Sequence, residues 1–294
     1  MDIFYAIQAI FWLGIEFHVL LVEMLIRAWI EAKGDDHKTK LFDYIIDYYF
    51  NDKNTRKKIP LALDIGCGNG QAAVDLSSFC ERVIGIDVNA DQIANAMPKH
   101  NVEYRCCPGE DLSFLQSNSI DLITIAKTLH WLDLDKCFKE IKRVLKPHTG
   151  VLAIWTHTFD SLDSPVADAI YYEFHHGFLS SHWHPKQHLS CDYYKSLIPR
   201  FPYNSTLNQY TIECSNETTL RHVLGLIETE PACQAYREQV GEQAYQDKLK
   251  TLRHNLSQCY IKTEVKNGND DTINLDSIQI TIARPIRLYL MKKE

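Results

Sequence analysis

The sequence predicts an α/β protein built on a doubly wound, mostly parallel sheet. Two observations carry that expectation. From Ile59 onward, short apolar runs alternate with stretches of helical periodicity, the pattern of βα units whose sheet is covered on both faces. The first of these runs ends in three glycines at alternate positions, Gly66, Gly68 and Gly70. Glycines between a strand and a helix allow a sharp turn and let a ligand approach the backbone where a Cβ would collide.

The apolar runs place strands at 61–65, 83–87, 102–106, 122–126 and 151–155, with helices at 71–79, 89–96 and 134–145. Lys146-Pro147 and Gly150 end the last of these helices and turn the chain into the next strand, since proline cannot continue a helix. Ahead of the sheet, 41–50 has helical apolar spacing, 33–40 reads as a polar linker containing Gly34, and 51–58 as a charged loop. Beyond Trp155 the rhythm breaks. Residues 159–204 are rich in aromatics and histidine, 217–228 and 234–260 look helical, and 278–291 reads as a closing strand with Pro285 at a break or edge position. The chain thus divides into an apolar N-terminal helix and linker (1–40), a core (41–158), a helical and aromatic cap (159–270) and a closing strand of the core sheet (271–294).

Residues 3–30 are strongly apolar, yet Glu16, Glu23 and Arg27 share one narrow face of a helix. An amphipathic helix that packs on the protein or a partner subunit is the leading reading, with contact to a membrane surface through 3–30 as the alternative. The interrupting Gln8, Glu16 and His18 make a spanning helix marginal.

The net charge of −7 comes with no basic stripe, so a nucleic-acid partner is not expected. Nine cysteines are scattered without a CxxC pair, which fits free thiols in a reducing, cytoplasmic setting and argues against a zinc site.

The glycine run is GxGxG, not the GxGxxG of dinucleotide sites. Asp64 stands two residues before the first glycine. A carboxylate there would repel a pyrophosphate but could receive the ammonium of an amino-acid ligand. Asp87 closes the second strand, 17 residues past Gly70, placed to accept hydrogen bonds from two ribose hydroxyls. Capping of the helix that begins near Asn89 is the structural alternative.

These residues, with Gly109-Glu110-Asp111-Leu112 after the third strand and Ala126-Lys127-Thr128-Leu129-His130-Trp131 after the fourth, resemble the type 11 class I methyltransferases. Within them the chain looks most like the trans-aconitate methyltransferase-like group. The similarity continues through the segments ending at Pro147 and Trp155 and recurs weakly to the C-terminus, covering roughly 41–294. It implies a seven-stranded Rossmann-like sheet and S-adenosyl-L-methionine (SAM) as cofactor. It also implies that Asp64, Gly66, Cys67, Gly68 and Gly70 hold the methionine end and its turn, Asp87 the ribose, Gly109 and Glu110 the adenine amine, and that Ala126 lines the floor beneath the sulfonium. His130 and Trp131 would stand near the departing methyl. The family's Tyr- and Arg-Pro-containing closing segment is absent before the helix at 41–50, and Glu230-Pro231 replaces a Trp-Ser pair.

Methyl transfer from a sulfonium is an in-line displacement that the protein promotes by alignment and exclusion of water. His130 is the titratable group of the matched loops with an intrinsic pKa near neutrality, a candidate base or a structural residue beside Trp131. His182, His184 and His188 lack a recognised ligand spacing, so no metal is expected and the stretch reads as a flexible aromatic cap. The implied activity is methylation of a small molecule, with O-methylation of a carboxylic acid leading and N, S or C acceptors as alternatives. A SAM-binding module acting through a partner is the reading from another class. A nicotinamide dehydrogenase of the short-chain type is remote, because the Tyr-xxx-Lys spacings, Tyr49/Lys53 and Tyr289/Lys293, lie outside the region that chemistry needs.

Overall fold

The computed structural model describes residues 36–51, 57–261 and 274–294. The expected N-terminal helix over 3–30 lies outside the described residues. Among the described residues no helix is long and apolar enough to cross a membrane.

The core is a seven-stranded sheet. In chain order its elements are α1 (Asp36–Phe50), β1 (Ile59–Ile65), α2 (Gln71–Leu76), β2 (Cys80–Asp87), α3 (Ala90–Ala94), β3 (Val102–Cys106), β4 (Leu122–Ala126), α4 (Leu134–Val144) and β5 (Val151–His157). Later segments add β7 (Asn208–Ile212) and β10 (Ile286–Lys292), and the spatial order is β3-β2-β1-β4-β5-β10-β7. The pairs from β3 to β5 are parallel, whereas β10 is antiparallel to both neighbours. β1 and β4 are neighbours although β2 and β3 intervene in sequence, so the winding reverses there. Such a switch point opens a crevice at the carboxyl ends of the strands.

Residues of β4 and β5 are buried on both faces, which is why they read as continuous apolar runs. One face packs Leu63, Ile123, Leu152 and Ile141; the other packs Phe42, Ala62, Leu122 and Leu290. In α4 the buried residues Leu134, Cys137, Phe138, Ile141 and Val144 recur at helical spacing, and each large apolar side chain so placed contributes roughly 1.5–3 kcal/mol. Asp133 caps this helix by accepting from the Lys136 N–H.

A second unit covers the carboxyl edge: β6 (Ser161–Leu162), α5 (Pro165–Tyr172), a π-helical turn (Glu173–Phe178), α6 (Gln187–Cys191), β8 (Ser215–Thr219), α7 (Leu220–Glu228), α8 (Pro231–Val240), α9 (Glu242–Tyr260) and β9 (Gln279–Ala283). Its strands form a separate sheet, β6-β9-β8. Leu162, Phe174, Leu220, Ile227, Leu249 and Ile282 build a core of its own.

Four local expectations are corrected. The helix expected from 41 already begins at Asp36, inside the expected linker, because nothing between Asp36 and Lys40 breaks it. Residues 215–219 are strand, since Thr218 and Thr219 pair with Ile280 and Gln279 before Thr219 caps α7. The helix expected over 234–260 begins at Pro231 and is cut at Gly241, whose φ is 82°. The single closing strand is two strands in different sheets, with Arg284-Pro285 as the crossover between β9 and β10.

Candidate functional site

The glycine loop joins β1 to α2 at the switch point. Gly66, Gly68 and Gly70 have φ of 71°, 54° and 94°, a region that costs other residues roughly 1–2 kcal/mol. At two of them space also decides. A Cβ on Gly66 would stand 2.1 Å from Thr128 Cγ2, and one on Gly70 2.1 Å from the Tyr104 hydroxyl. Thr128 is held there by donating to the Gly66 carbonyl at 3.1 Å, tying the end of β4 to the loop. α2 has only six residues, so its dipole adds little and the loop itself forms the cradle.

Asp64 is fully buried at the foot of the loop. Its Oδ1 accepts from Thr124 at 2.6 Å, while Oδ2 has no partner among the described residues. Burial pushes its pKa up to about 7 against the lowering effect of the Thr124 hydrogen bond, with Asp87 adding to the rise. A buried carboxylate oxygen without a donor suits the ammonium of an amino-acid ligand. Asp87 Oδ2 accepts from the Gly68 N–H and Oδ1 from the Asn89 N–H, both at 2.9 Å. Asn89, not Asp87, caps α3, accepting from the N–H groups of Asp91 and Gln92. Asp87 therefore sits at the mouth of the loop with its orientation fixed and lone pairs to spare. Cys67 is buried in the turn, its thiol donating to the Gly68 carbonyl.

Gly109 packs so closely that a Cβ would meet Ile65 at 2.6 Å. Glu110 accepts from the Asp133 N–H at 2.6 Å, which fixes its carboxylate beside the first turn of α4. Ala126 is half-buried at the end of β4. Gly66, Gly68, Asp64 and Asp87 thus meet at one edge of the sheet. A cradle of left-handed glycines, an acceptor for an ammonium and an acceptor for ribose hydroxyls fit a nucleoside that carries an amino acid, as SAM does.

The two residues expected beside the methyl stay in ring contact but differ in exposure. His130 is 4% exposed and its Nδ1 stands 2.9 Å from the Tyr194 hydroxyl. Burial, aided by the charge of Lys127, pushes its pKa down to about 4. This favours the structural of its two roles, because a base that weak is poorly matched to neutral pH. Trp131 is 46% exposed, its ring against His130 and His184 and its carbonyl accepting from Lys186. Behind this turn lies a cavity of about 280 Å³ lined by Leu129, His130, Leu189 and Leu197, with Lys186 and Arg200 among its polar residues.

Sequence reasoning missed the polar cluster between β4, β5 and the cap. Lys127, one residue past β4, has φ 49° and places its ammonium 3.3 Å from His157 Nδ1 and 3.5 Å from Nε2. Burial, with the Arg284 charge, pushes the Lys127 pKa down to about 8, and burial holds His157 neutral well below its usual range. Arg284 grips Asp160 through two bonds, one of them 2.7 Å long. In the cap, His175 Nε2 and Glu230 Oε2 stand 2.8 Å apart as an ion contact not aligned as a hydrogen bond. Burial opposes a charge on His175, but Glu230 outweighs it and raises the pKa. The signal for Lys127 was present: a charged residue just past a core strand at the carboxyl edge, where such sheets bind ligands. Among the described residues no cluster of metal-ligating side chains occurs; His182 instead contacts Gln239 and His184 contacts Trp131.

Comparison with known proteins agrees with this fold. A family model described as a methyltransferase domain matches residues 63–154, from β1 to the middle of β5. A Dictyostelium discoideum protein described as a methyltransferase is 29% identical over 249 residues, 84% of this chain and 88% of its own length. A Saccharomyces cerevisiae protein described as a SAM-dependent methyltransferase is 31% identical over 130 residues, 42% of this chain and 43% of its own. The solved structure of a protein described as a type II methyltransferase, from Anaeromyxobacter dehalogenans, superposes with a TM-score of 0.67 at 27% identity, covering 85% of this chain and 95% of that one.

Proposed function

We propose a substrate for a chain that is a class I SAM-dependent methyltransferase: a small molecule, methylated on a carboxylate oxygen. One observation carries the reading. The histidines beside the end of β4 and β5 are held neutral with low basicity, His130 at about 4 and His157 well below its usual range. A hydroxyl or ammonium acceptor must lose a proton, for which a base near neutral pKa is best. A carboxylate is already ionised at neutral pH and needs none, and Lys127, although lowered to about 8, is still mostly protonated at neutral pH and so meets a carboxylate as a charge and not as a base. The resemblance to the trans-aconitate methyltransferase-like group supports the same choice, and a cap with its own core over the carboxyl edge favours a small acceptor.

The cofactor supplies an electrophilic methyl group on a sulfonium. Asp64 and the glycine turn would hold its amino-acid end, and Asp87 would fix the ribose. Thr128 ties the end of β4, where Ala126 would line the floor beneath the sulfonium, to the loop. Alignment of this kind accounts for roughly 7–11 kcal/mol in well-oriented reactions, and the cap would limit competing water.

The test is methyl transfer from labelled SAM to a panel of small carboxylic acids. Products that release label as methanol in mild alkali support methyl esters. Alkali-stable products move the acceptor to nitrogen, sulfur or carbon and overturn the carboxylate reading.

A further inference from the structure

We propose that Lys127 is the specificity-determining residue of the acceptor site, its ammonium binding an anionic group of the acceptor beside the end of β4; this rests on the small-acid reading above. Three observations lead there. The first is position. Lys127 lies between Ala126, the last residue of β4, and Thr128, which bonds the glycine loop. Its own N–H donates to the Trp155 carbonyl at 2.9 Å, so the backbone is fixed at the crevice edge.

The second is charge. In the polar cluster between β4, β5 and the cap the other ions are matched: Arg284 with Asp160, and His175 with Glu230. Lys127 is different. Among the described residues its ammonium forms no ion pair; Asp160 and Glu230 act on it only from longer range, and the group beside it is the neutral ring of His157. His157 Nδ1 lies 2.9 Å from the Thr158 carbonyl, which holds the ring in place. A half-buried cation beside an uncharged ring is costly on its own and favours an anion that enters with the ligand.

The third is strain. Lys127 sits in the left-handed region at φ 49°, a conformation that lysine adopts at a cost and that in folded proteins gathers at ligand sites. A glycine or asparagine would relieve it. The retained lysine aims an ammonium from the strand end toward His157 and the cap, across the crevice mouth.

The experiment uses the full chain saturated with S-adenosylhomocysteine and, as probes, acetate, succinate, citrate and benzoate titrated by calorimetry. The wild type is expected to bind at least one acid. Lys127→Met should weaken that acid tenfold or more, Lys127→Arg should stay within about threefold of wild type, and both should bind S-adenosylhomocysteine within twofold of wild type, which also shows that they fold. Turnover should separate likewise, with KM rising more than kcat falls in Lys127→Met. Three results overturn the inference: no acid binds the wild type, Lys127→Met binds acids as well as wild type, or Lys127→Met loses the nucleoside product as strongly as the acid, which would assign the ammonium to the cofactor. Acid binding lost in Lys127→Met together with alkali-stable products keeps the anion subsite and discards the carboxylate as acceptor atom. Methyl esters formed equally well by Lys127→Met do the reverse.

Discussion

Replacing Asp160 by alanine tests how the cap is fastened to the core. Asp160 lies between β5 and β6, and Arg284 at the crossover from β9 to β10, so this one pair joins the end of the core sheet to the cap sheet. The side chains are 4% and 16% exposed, and the guanidinium meets both carboxylate oxygens. Removing the carboxylate takes both acceptors from a buried cation, a change that costs about 3–5 kcal/mol in comparable pairs. For a chain of this length we take a urea slope of about 3 kcal/mol per molar, the upper end for small proteins, so the unfolding midpoint should fall by about 1–1.7 M. Asp160→Leu with Arg284→Met should cost well under the sum of the single changes, because it leaves no buried charge. Urea unfolding followed by tryptophan fluorescence reads the midpoint. A single Asp160→Ala midpoint within about 0.3 M of wild type would refute the idea that this pair secures the cap.

Three further expectations follow from the site. Asp64 is raised to about 7 in the ligand-free chain, so its ionisation opposes folding as pH rises from the unfolded value near 3.8 through 7, while an ammonium ligand requires the ionised form. S-adenosylhomocysteine affinity measured by calorimetry should therefore rise by up to tenfold per pH unit toward about 7 and level above it, with Asp64→Asn flattening the profile; affinity constant between pH 5.5 and 8 in the wild type would count against the assignment. Gly66→Ala puts a Cβ 2.1 Å from Thr128 and adds left-handed strain, so S-adenosylhomocysteine binding should weaken at least tenfold while the far-ultraviolet dichroism stays that of wild type. His175 has a raised pKa beside Glu230, so the stability it supplies is present below about 6.5 and disappears as pH rises through its folded value. The gain in thermal midpoint on going from pH 8.5 to 6 should shrink in His175→Gln, and an unchanged gain would show the pair to be energetically silent.

The strands from β1 to β5 and the glycine loop were legible because each has a local cause. The buried apolar runs of β1, β2, β4 and β5, alternating with helical stretches, force a wound sheet, and left-handed glycines after β1 have few other uses. The placement of Asp64 and Asp87 beside that turn was legible because each sits at a fixed offset from it. What escaped was assembled from distant parts of the chain. Arg284 is more than 120 residues from Asp160, and His175 and Glu230 meet only because α5 and α8 pack in one cap. His130 shows the limit of reading a residue type alone: an imidazole of ordinary basicity in sequence became a weak base because folding removed its water and set Lys127 nearby.

The closing segment marks the same boundary. Its apolar alternation determined that residues near the C-terminus form strand, and Pro285 determined that the strand is interrupted. Only the tertiary structure decided that Gln279–Ala283 joins the cap sheet and Ile286–Lys292 the core. Periodicity records which face of a segment is apolar, a local property. Which sheet buries that face depends on the partners β8 and β5, brought to it by the fold.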